Sequence, residues 1–332
     1  MKLNLLVLTD HLTHASSNSL YELSTELRGD PRCNNLWVCT RGLKLNQPFF
    51  EGDPTADIYG TSIDRPFAFD PSGEFLQQNA EKISLSDVDA ILIRLPQPLN
   101  KKFLLSLLKI VPKEKIINQP SGTIETSSKE FLLQVAHLCP SPSLCTSVEE
   151  AIALTDQYEI VLKPLYSYGG RGIIRLSKTH IWLGNNRHPV SDIHRFLSRG
   201  QFPMLAMRYL QNVTQGDKRT IVVNRKVMGS AVRMPGPDSW ICNVAQGGHA
   251  YYSEIDEDEK RIEQELTPLL YDKGIIFYGF DSLVDDDGRR VLSEINTLSI
   301  GGLGPMEEMS GKPLVKEAAT LMWDYYQQPK NI

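Results

Sequence analysis

The stretch from Ile275 to Asn296 constrains the fold most. Ile275-Ile-Phe-Tyr-Gly-Phe-Asp281-Ser-Leu-Val284 leads into Asp285-Asp-Asp-Gly288, and Arg289-Arg-Val-Leu-Ser-Glu294-Ile-Asn296 leads out. Turn residues between two runs rich in β-branched and aromatic side chains specify a β-hairpin. If Asp285 and Gly288 face each other across a two-residue turn, Asp281 lies opposite Leu292. Alternation then gathers Asp281, Glu294 and Asn296 on one face. The other face becomes Ile276, Tyr278, Phe280, Val284, Val291 and Ile295, apolar enough to be the buried side. A three-residue loop would break this parity. Two carboxylates within ~4 Å repel by about 4 kcal/mol at an effective dielectric near 20, so a face that gathers them needs a cation. Two acids and one amide, all oxygen ligands, suit Mg²⁺ or Mn²⁺ with phosphates completing the octahedron. The plainer alternative is a solvated polar face on a sheet.

A second constellation lies upstream, in Ile160-Val-Leu-Lys163-Pro-Leu-Tyr-Ser-Tyr-Gly169-Gly170-Arg171-Gly172-Ile-Ile-Arg175. Glycines let the backbone approach a ligand and turn successive N–H groups inward as an anion-binding nest. A strand follows and the Gly-Lys-Ser/Thr ending is missing, so this is neither a P-loop nor a dinucleotide fingerprint. Taken alone, it also reads as a flexible hairpin tip. Lys163 sits in an otherwise apolar strand, and an inward lysine needs an anion. Further basic residues punctuate strands and turns: Lys129 at a helix start, Lys218 and Arg219 after Gly216-Asp217, and Arg233 before Met-Pro-Gly. Singly, each is an ordinary surface charge. Ala206-Met-Arg-Tyr-Leu210 has the character of an edge strand whose backbone could read an adenine.

The remaining chain frames these features. Lys2 to Thr9, Asn35 to Thr40, Val88 to Arg94 and Lys115 to Asn118 read as strands, with helices at Ser16 to Leu27 and Lys101 to Ile110. Gln47 to Asn79 reads as a long connection. Alternating β and α elements imply a small parallel-sheet domain. Lys129 to Cys139 and Ser147 to Leu154 are helical, the second with Ser147 and Glu150 at capping-box spacing. Beyond Met204 hairpins dominate: Lys218 to Val223 with Lys226 to Arg233, then Ile275 to Val284 with Arg289 to Asn296. Helices Glu257 to Lys273 and Lys312 to Tyr326 accompany them. With 332 residues the chain holds two or three domains, and 35 basic against 40 acidic residues argue against a general nucleic-acid or anionic-membrane binder. Charge averaged over the chain leaves room for one cationic cleft. Five cysteines without a Cys-x-x-Cys pair, and an N-terminal apolar run too short for a secretory signal, point to the cytoplasm. No run approaches the ~18 apolar residues of a membrane span.

In order and spacing, these motifs resemble the ATP-grasp superfamily, and within it the bacterial glutathione synthetases. The sharpest matches are Val161-Leu-Lys-Pro-Leu with Gly169-Gly170, Gly216-Asp-Lys-Arg219, Asn243 with Gly247-Gly248, and Gly279-Phe-Asp281 with Ser293-Glu294-Ile-Asn296. The resemblance implies an α/β chain with α+β lobes, in which an N-terminal parallel-sheet domain (1–122) precedes two grasping lobes (123–205 and 206–332). It implies that Lys129 and Lys163 hold the phosphates of ATP, that Gly169 to Gly172 form a flap, and that Met207, Tyr209 and Leu210 line the adenine. Asp217 would hold the ribose, and Asp281, Glu294 and Asn296 would bind two Mg²⁺ ions. Arg219 and Arg233 would stabilise the transferring phosphoryl group. Arg94, Asn243, Gly247, Gly248 and Ser299 would belong to the substrate site. The implied reaction joins small peptide and amino-acid substrates through an acyl phosphate, and bacterial members form homo-oligomers.

The chain also departs from the family pattern. After Asn296, where the family usually reads Val-Thr-Ser-Pro-Thr, this chain has Thr297-Leu-Ser299-Ile-Gly301-Gly302-Leu-Gly304. Arg94 is followed by Leu-Pro-Gln-Pro in place of the family's Asp-Pro-Pro-Phe-Asp, and Arg208 stands where many relatives carry an acidic or amide residue. Two rivals share the ATP machinery: a RimK-like ligase acting on another peptide or protein carboxylate, and a synapsin-like module that binds ATP without ligation. A Rossmann-type enzyme fails because no Gly-x-Gly-x-x-Gly follows the opening strand.

Overall fold

The computed structural model describes residues 2–328 except 54, 65, 237–239 and 241–248. Its strands form three sheets, each drawn from one continuous stretch of chain. The first holds β1 (Leu3–Thr9), β2 (Cys33–Thr40), β3 (Ile58–Ser62), β4 (Ala80–Ile83), β5 (Ala90–Arg94) and β6 (Ile116–Ile117), in the order β4-β3-β2-β1-β5-β6. β2, β1, β5 and β6 run parallel, as their nearly uninterrupted apolar residues require for strands buried on both faces. Two antiparallel strands, β3 and the edge strand β4, extend the sheet.

β3 corrects the expectation of a long connection between Gln47 and Asn79, which also contains the helices Gln47–Phe50 and Glu74–Gln78. Flanking Pro, Asp and Gly residues mask the strand. A Cβ at its Gly60 would meet Ile83 Cδ1 at 2.4 Å, a contact that the end of the Ile83 side chain would have to shift to relieve. On either side of β1 the chain winds in opposite directions, so Thr9 and Arg94 pair at the carboxyl edge, where open α/β sheets form a crevice.

The middle sheet is antiparallel: β7 (Ser143–Cys145), β8 (Ile160–Pro164), β9 (Ile174–Leu176), β10 (His180–Leu183), β11 (Asn186–Pro189) and β12 (Met204–Arg208), ordered β11-β10-β9-β8-β12-β7. Ser147 caps the helix Val148–Leu154 by accepting from Glu150 N at 3.2 Å, but the Glu150 carboxylate takes the N–H of Thr146 and the capping box stays open. The expected lobe boundary at 205/206 falls inside β12, so we propose placing it after Leu210.

The third sheet has β13 (Asp217–Val223), β14 (Lys226–Met234), β15 (His249–Ser253), β16 (Phe277–Val284) and β17 (Arg290–Asn296), ordered β15-β14-β13-β16-β17. The helix Glu257–Asp272 starts in a reciprocal cap between Asp256 and Glu259. Its Ile262, Leu266 and Leu270 pack on Tyr278, Phe280 and Leu292, together with Phe131, Leu132, Leu205 and Met207 from the middle region. One apolar core thus joins the two antiparallel sheets along the cleft between them. A second core joins the first and third sheets through the helix Leu314–Gln327, where Trp323 Nε1 donates to Leu27 O and Tyr326 Oη donates to Ile91 O.

The β16–β17 register differs from the expected one twice, and the differences cancel at the site. Asp285 N donates to Arg289 O, closing a three-residue loop, so Val284 pairs with Arg290 and Ser282 with Leu292. A bulge at Ser293 then adds one residue to β17. Beyond it Asp281 faces Glu294 and Gly279 faces Asn296, which restores the shared face. Between loop and bulge the parity is reversed, so Leu292, and not Val291, belongs to the buried core.

Candidate active site

A cleft of about 380 Å³ opens between the middle and third sheets and runs toward the carboxyl edge of the first. At its centre, the antiparallel registers set Asp217 opposite Arg233, Arg219 opposite Asp281, and Asp281 opposite Glu294. Directly paired residues on one face interact across the ladder. Arg219 grips Asp281 with Nε and Nη2, both at 2.7 Å. Arg233 grips Asp217 at 2.7 and 2.6 Å, and its Nη2 also reaches Asp281 Oδ2 at 2.9 Å. Asn296 Nδ2 lies 3.3 Å from the same oxygen. Burial alone would raise the Asp281 carboxyl, but the charges and hydrogen bonds of Arg219 and Arg233 hold it well below the usual range. Asp217, which shares Arg233, is pushed up to about 6 by burial despite that partner, with the Asp281 charge adding to the rise.

Two lysines complete this end. Lys163 on β8 is buried, and its Nζ donates to both the carbonyl and the hydroxyl of Ser293, each at 3.0 Å. The bulge that restores the register therefore also supplies the acceptors that aim Lys163. Burial pushes its ammonium below the usual value, with the Glu294 charge opposing. Lys129 donates to Ser167 O in the glycine-rich turn and lies 3.3 Å from Glu294 Oε1. In that turn Gly169, Gly170 and Gly172 have φ of 67°, 73° and 70°, a backbone that side chains rarely adopt.

Met207, Tyr209 and Leu210 line the far wall with Val161, Ile173 and Leu283, forming an apolar slot. Sequence reasoning missed Arg175, whose guanidinium stacks 3.7 Å from the Tyr209 ring centroid and is held bidentately by Glu159. An arginine in an Ile-Ile-Arg-Leu strand was the available signal. Arg208 also lines the cleft, with its Nη1 3.3 Å from Asp286 Oδ2.

At the opposite end the cleft is bordered by Thr13, Asn18, Pro96, Gln97, Ser299 and Gly301. Arg94, expected to contact the substrate, is instead 1% exposed and does not line the cleft. Its Nη2 donates to Ile300 O at 2.8 Å, its guanidinium lies over the Phe277 ring at 5.0 Å, and burial pushes its pKa down to about 10. The strand-end position was legible, but the side chain turns under the loop after Asn296. Asn243, Gly247 and Gly248 lie outside the described residues.

Among the described residues no group of three His, Cys, Asp or Glu side chains forms a metal site. The donor set is two carboxylates and an amide on one sheet face, hard oxygen ligands that fit a phosphate-bound Mg²⁺. Nor is any helix among them long and apolar enough to cross a membrane.

Fold and site define an ATP-dependent ligase that forms C–N bonds on an ATP-grasp fold. Residues 128–311 match the ATP-grasp domain of prokaryotic glutathione synthetase, and the chain belongs to that family. The glutathione synthetase of Prochlorococcus marinus subsp. pastoris is 31% identical over 235 residues, covering 69% of this chain and 73% of that protein. That of Nitrosomonas europaea is 30% identical over 256 residues, covering 75% of each. Among solved structures, D-cycloserine synthetase DcsG superposes with a TM-score of 0.64 at 12% identity over 97% of this chain and 99% of its own, which shows the shared fold. The ATP-grasp ligase PsnB, solved with Mg and ADP, gives a TM-score of 0.57 at 13% identity over 97% of this chain and 98% of its own.

Proposed function

We propose that this ligase is a glutathione synthetase, joining γ-glutamylcysteine to glycine with conversion of ATP to ADP and phosphate. The observation that carries the reading is the convergence of Lys129, Lys163, Arg219 and Arg233 with Asp281, Glu294 and Asn296 on one cleft. The names of the relatives support the choice of substrates. The apolar slot takes the adenine, and Asp217 takes the ribose hydroxyls. Lys129, Lys163 and the N–H groups of Gly169 and Gly170 take the phosphates. Asp281, Glu294 and Asn296 would hold Mg²⁺, or Mn²⁺, which neutralises charge on the phosphates.

A carboxylate oxygen of the acceptor attacks the γ-phosphorus, the bond to the bridging oxygen breaks, and ADP leaves. The amine then attacks the acyl carbon, its proton is lost, and phosphate departs with the C–O bonding pair. Neither step needs a covalent side chain. The protein's contribution is alignment and cationic stabilisation by Arg219 and Arg233 of charge on the phosphoryl group and the tetrahedral intermediate. The reading includes a cytoplasmic location and a homo-oligomer, the latter checked by light scattering.

The test is the product mass from incubation with ATP, Mg²⁺, γ-glutamylcysteine and a mixture of amino acids. Glutathione with equimolar ADP is expected, and no turnover above background with γ-glutamylcysteine and glycine would sink the reading. The uncharged side chains at the acceptor end favour a second reading, a ligase for a different peptide carboxylate. Adding other peptides to the mixture reveals it as a different product mass.

A further inference from the structure

The loop after Asn296 is held from behind by side chains that never enter the cleft. Asn118, directly after β6, is 4% exposed and uses all its amide bonding capacity. Its Nδ2 donates to Phe277 O at 2.6 Å and to Thr297 O at 2.9 Å, while its Oδ1 accepts from Ile276 N at 2.7 Å and Phe277 N at 2.8 Å. Thr126 Oγ1 lies 3.0 Å from Thr297 Oγ1. Three residues further on, Arg94 holds the Ile300 carbonyl.

Between these two anchored carbonyls Ser299 has φ of 35°, a left-handed backbone that a residue with a Cβ adopts at a cost. Such strain persists only where the surroundings over-determine it. The anchors at Thr297 and Ile300 do so, and Ser299 and Gly301 between and beside them border the cleft.

We propose that Asn118 and Arg94 are positioning residues that clamp the 297–300 loop and hold Ser299 against the acceptor. Arg94 thereby serves the acceptor through Ile300, without touching it. The acceptor part rests on the ligase reading above; the clamp itself does not. A fully bonded amide that spans two chain segments fixes both, because each lost bond leaves a buried carbonyl or N–H unpaired.

The test compares wild type with Asn118→Asp, which keeps shape and acceptors but as a carboxylate loses both donations, to Thr297 O and to Phe277 O, and with Arg94→Met and Arg94→Lys. Hydrogen exchange over 297–302 should quicken about 10-fold or more in Asn118→Asp and Arg94→Met, with β13 and β14 unchanged. Acceptor KM should rise about 10-fold while the Kd for ADP stays within about two-fold, and Arg94→Lys, which can still donate to Ile300 O, should recover most of both. Unchanged loop exchange overturns the proposal, as does a loss of ADP affinity in step with turnover. If Asn118→Asp does not fold, the Arg94 pair decides by the same readouts. If wild type makes no glutathione, the substrate reading fails while loop exchange still judges the clamp.

Discussion

The two ends of the cleft are built by opposite means. At the proposed phosphoryl end, Arg219 and Arg233 face Asp281 and Asp217 on paired strands, Lys129 lies beside Glu294, and Lys163 is held by the carbonyl and hydroxyl of Ser293. At the proposed acceptor end, Thr13, Asn18, Gln97 and Ser299 lie outside the strands, and Arg94 is buried behind the wall. On the proposed reading, the phosphoryl chemistry is set into rigid ladders, while the choice of acceptor lies in loops whose shape depends on distant anchors. The first end should fail through charge, the second through geometry.

The largest effect is expected at Asp281. Asp281→Asn removes the countercharge of two part-buried guanidiniums, and breaking one partner out of such a network costs roughly 3 kcal/mol. Turnover should fall by at least about 10³, because the substitution removes a negative charge proposed to hold the metal and misplaces both arginines. Urea unfolding and steady-state kinetics check the two numbers, and activity within ten-fold of wild type would refute the assignment. Lys163→Met sharpens the point from the other side. A buried lysine is costly to the fold, so its removal should leave the unfolding midpoint unchanged or higher while turnover drops about 10²-fold. A variant that loses stability and activity together would show that Lys163 is a structural staple of Ser293 and not a phosphate ligand.

Legibility in the sequence follows the same division. The face shared by Asp281, Glu294 and Asn296 could be read because period-two alternation survives in the chain, although the register behind it was wrong in two compensating places. No residue pattern announces the Ser293 bulge; it follows from a three-residue loop whose length Asp285-Asp-Asp-Gly288 does not reveal. Lys163 stood out because a charge in an apolar strand must be aimed at something. Arg94 and Asn118 did not disclose their roles, since those depend on contacts made across more than 150 residues of chain, with Ile300 and with Phe277 and Thr297. The first sheet was legible in its parallel core, where apolar runs leave no choice, and illegible at β3 and β4, short antiparallel strands among turn-forming residues.

At the acceptor end single substitutions should act modestly. Ser299→Ala keeps the backbone clamp and removes one hydroxyl, so acceptor KM should rise about three- to ten-fold with kcat and the KM for ATP unchanged, the cost of one hydrogen bond. A fall in kcat comparable to that of Lys163→Met would erase the contrast between the two ends.

The smallest expected effect separates the ends by acidity. His14 lies beside the acceptor end, its Nε2 3.0 Å from Thr9 Oγ1 and its Nδ1 2.8 Å from Tyr21 Oη. Burial pushes its pKa from 6.5 down to about 4, and the Arg94 charge adds to the shift. As pH falls from 6.5 toward 4 the unfolded chain takes up a proton that folded His14 refuses, so stability is full above 6.5 and declines across that window. His11, also lowered by burial, tilts the same way. Asp217 tilts oppositely: with a folded pKa of about 6 against 3.8, its contribution is present below 3.8 and lost as pH rises through 6. Asp281 acts later, because its depressed carboxyl stabilises the fold above 3.8 and loses that contribution only as pH falls further. The difference in urea midpoint between wild type and His14→Gln isolates the histidine: constant above pH 7, it should shift steadily against wild type between 6.5 and 4. The same comparison for Asp281→Asn should change below 4 and, because Asp217 loses a charge that helps raise it, also between 3.8 and 6. A flat His14 difference would mean that the folded chain takes up this proton as readily as the unfolded one, and that burial does not hold the imidazole neutral.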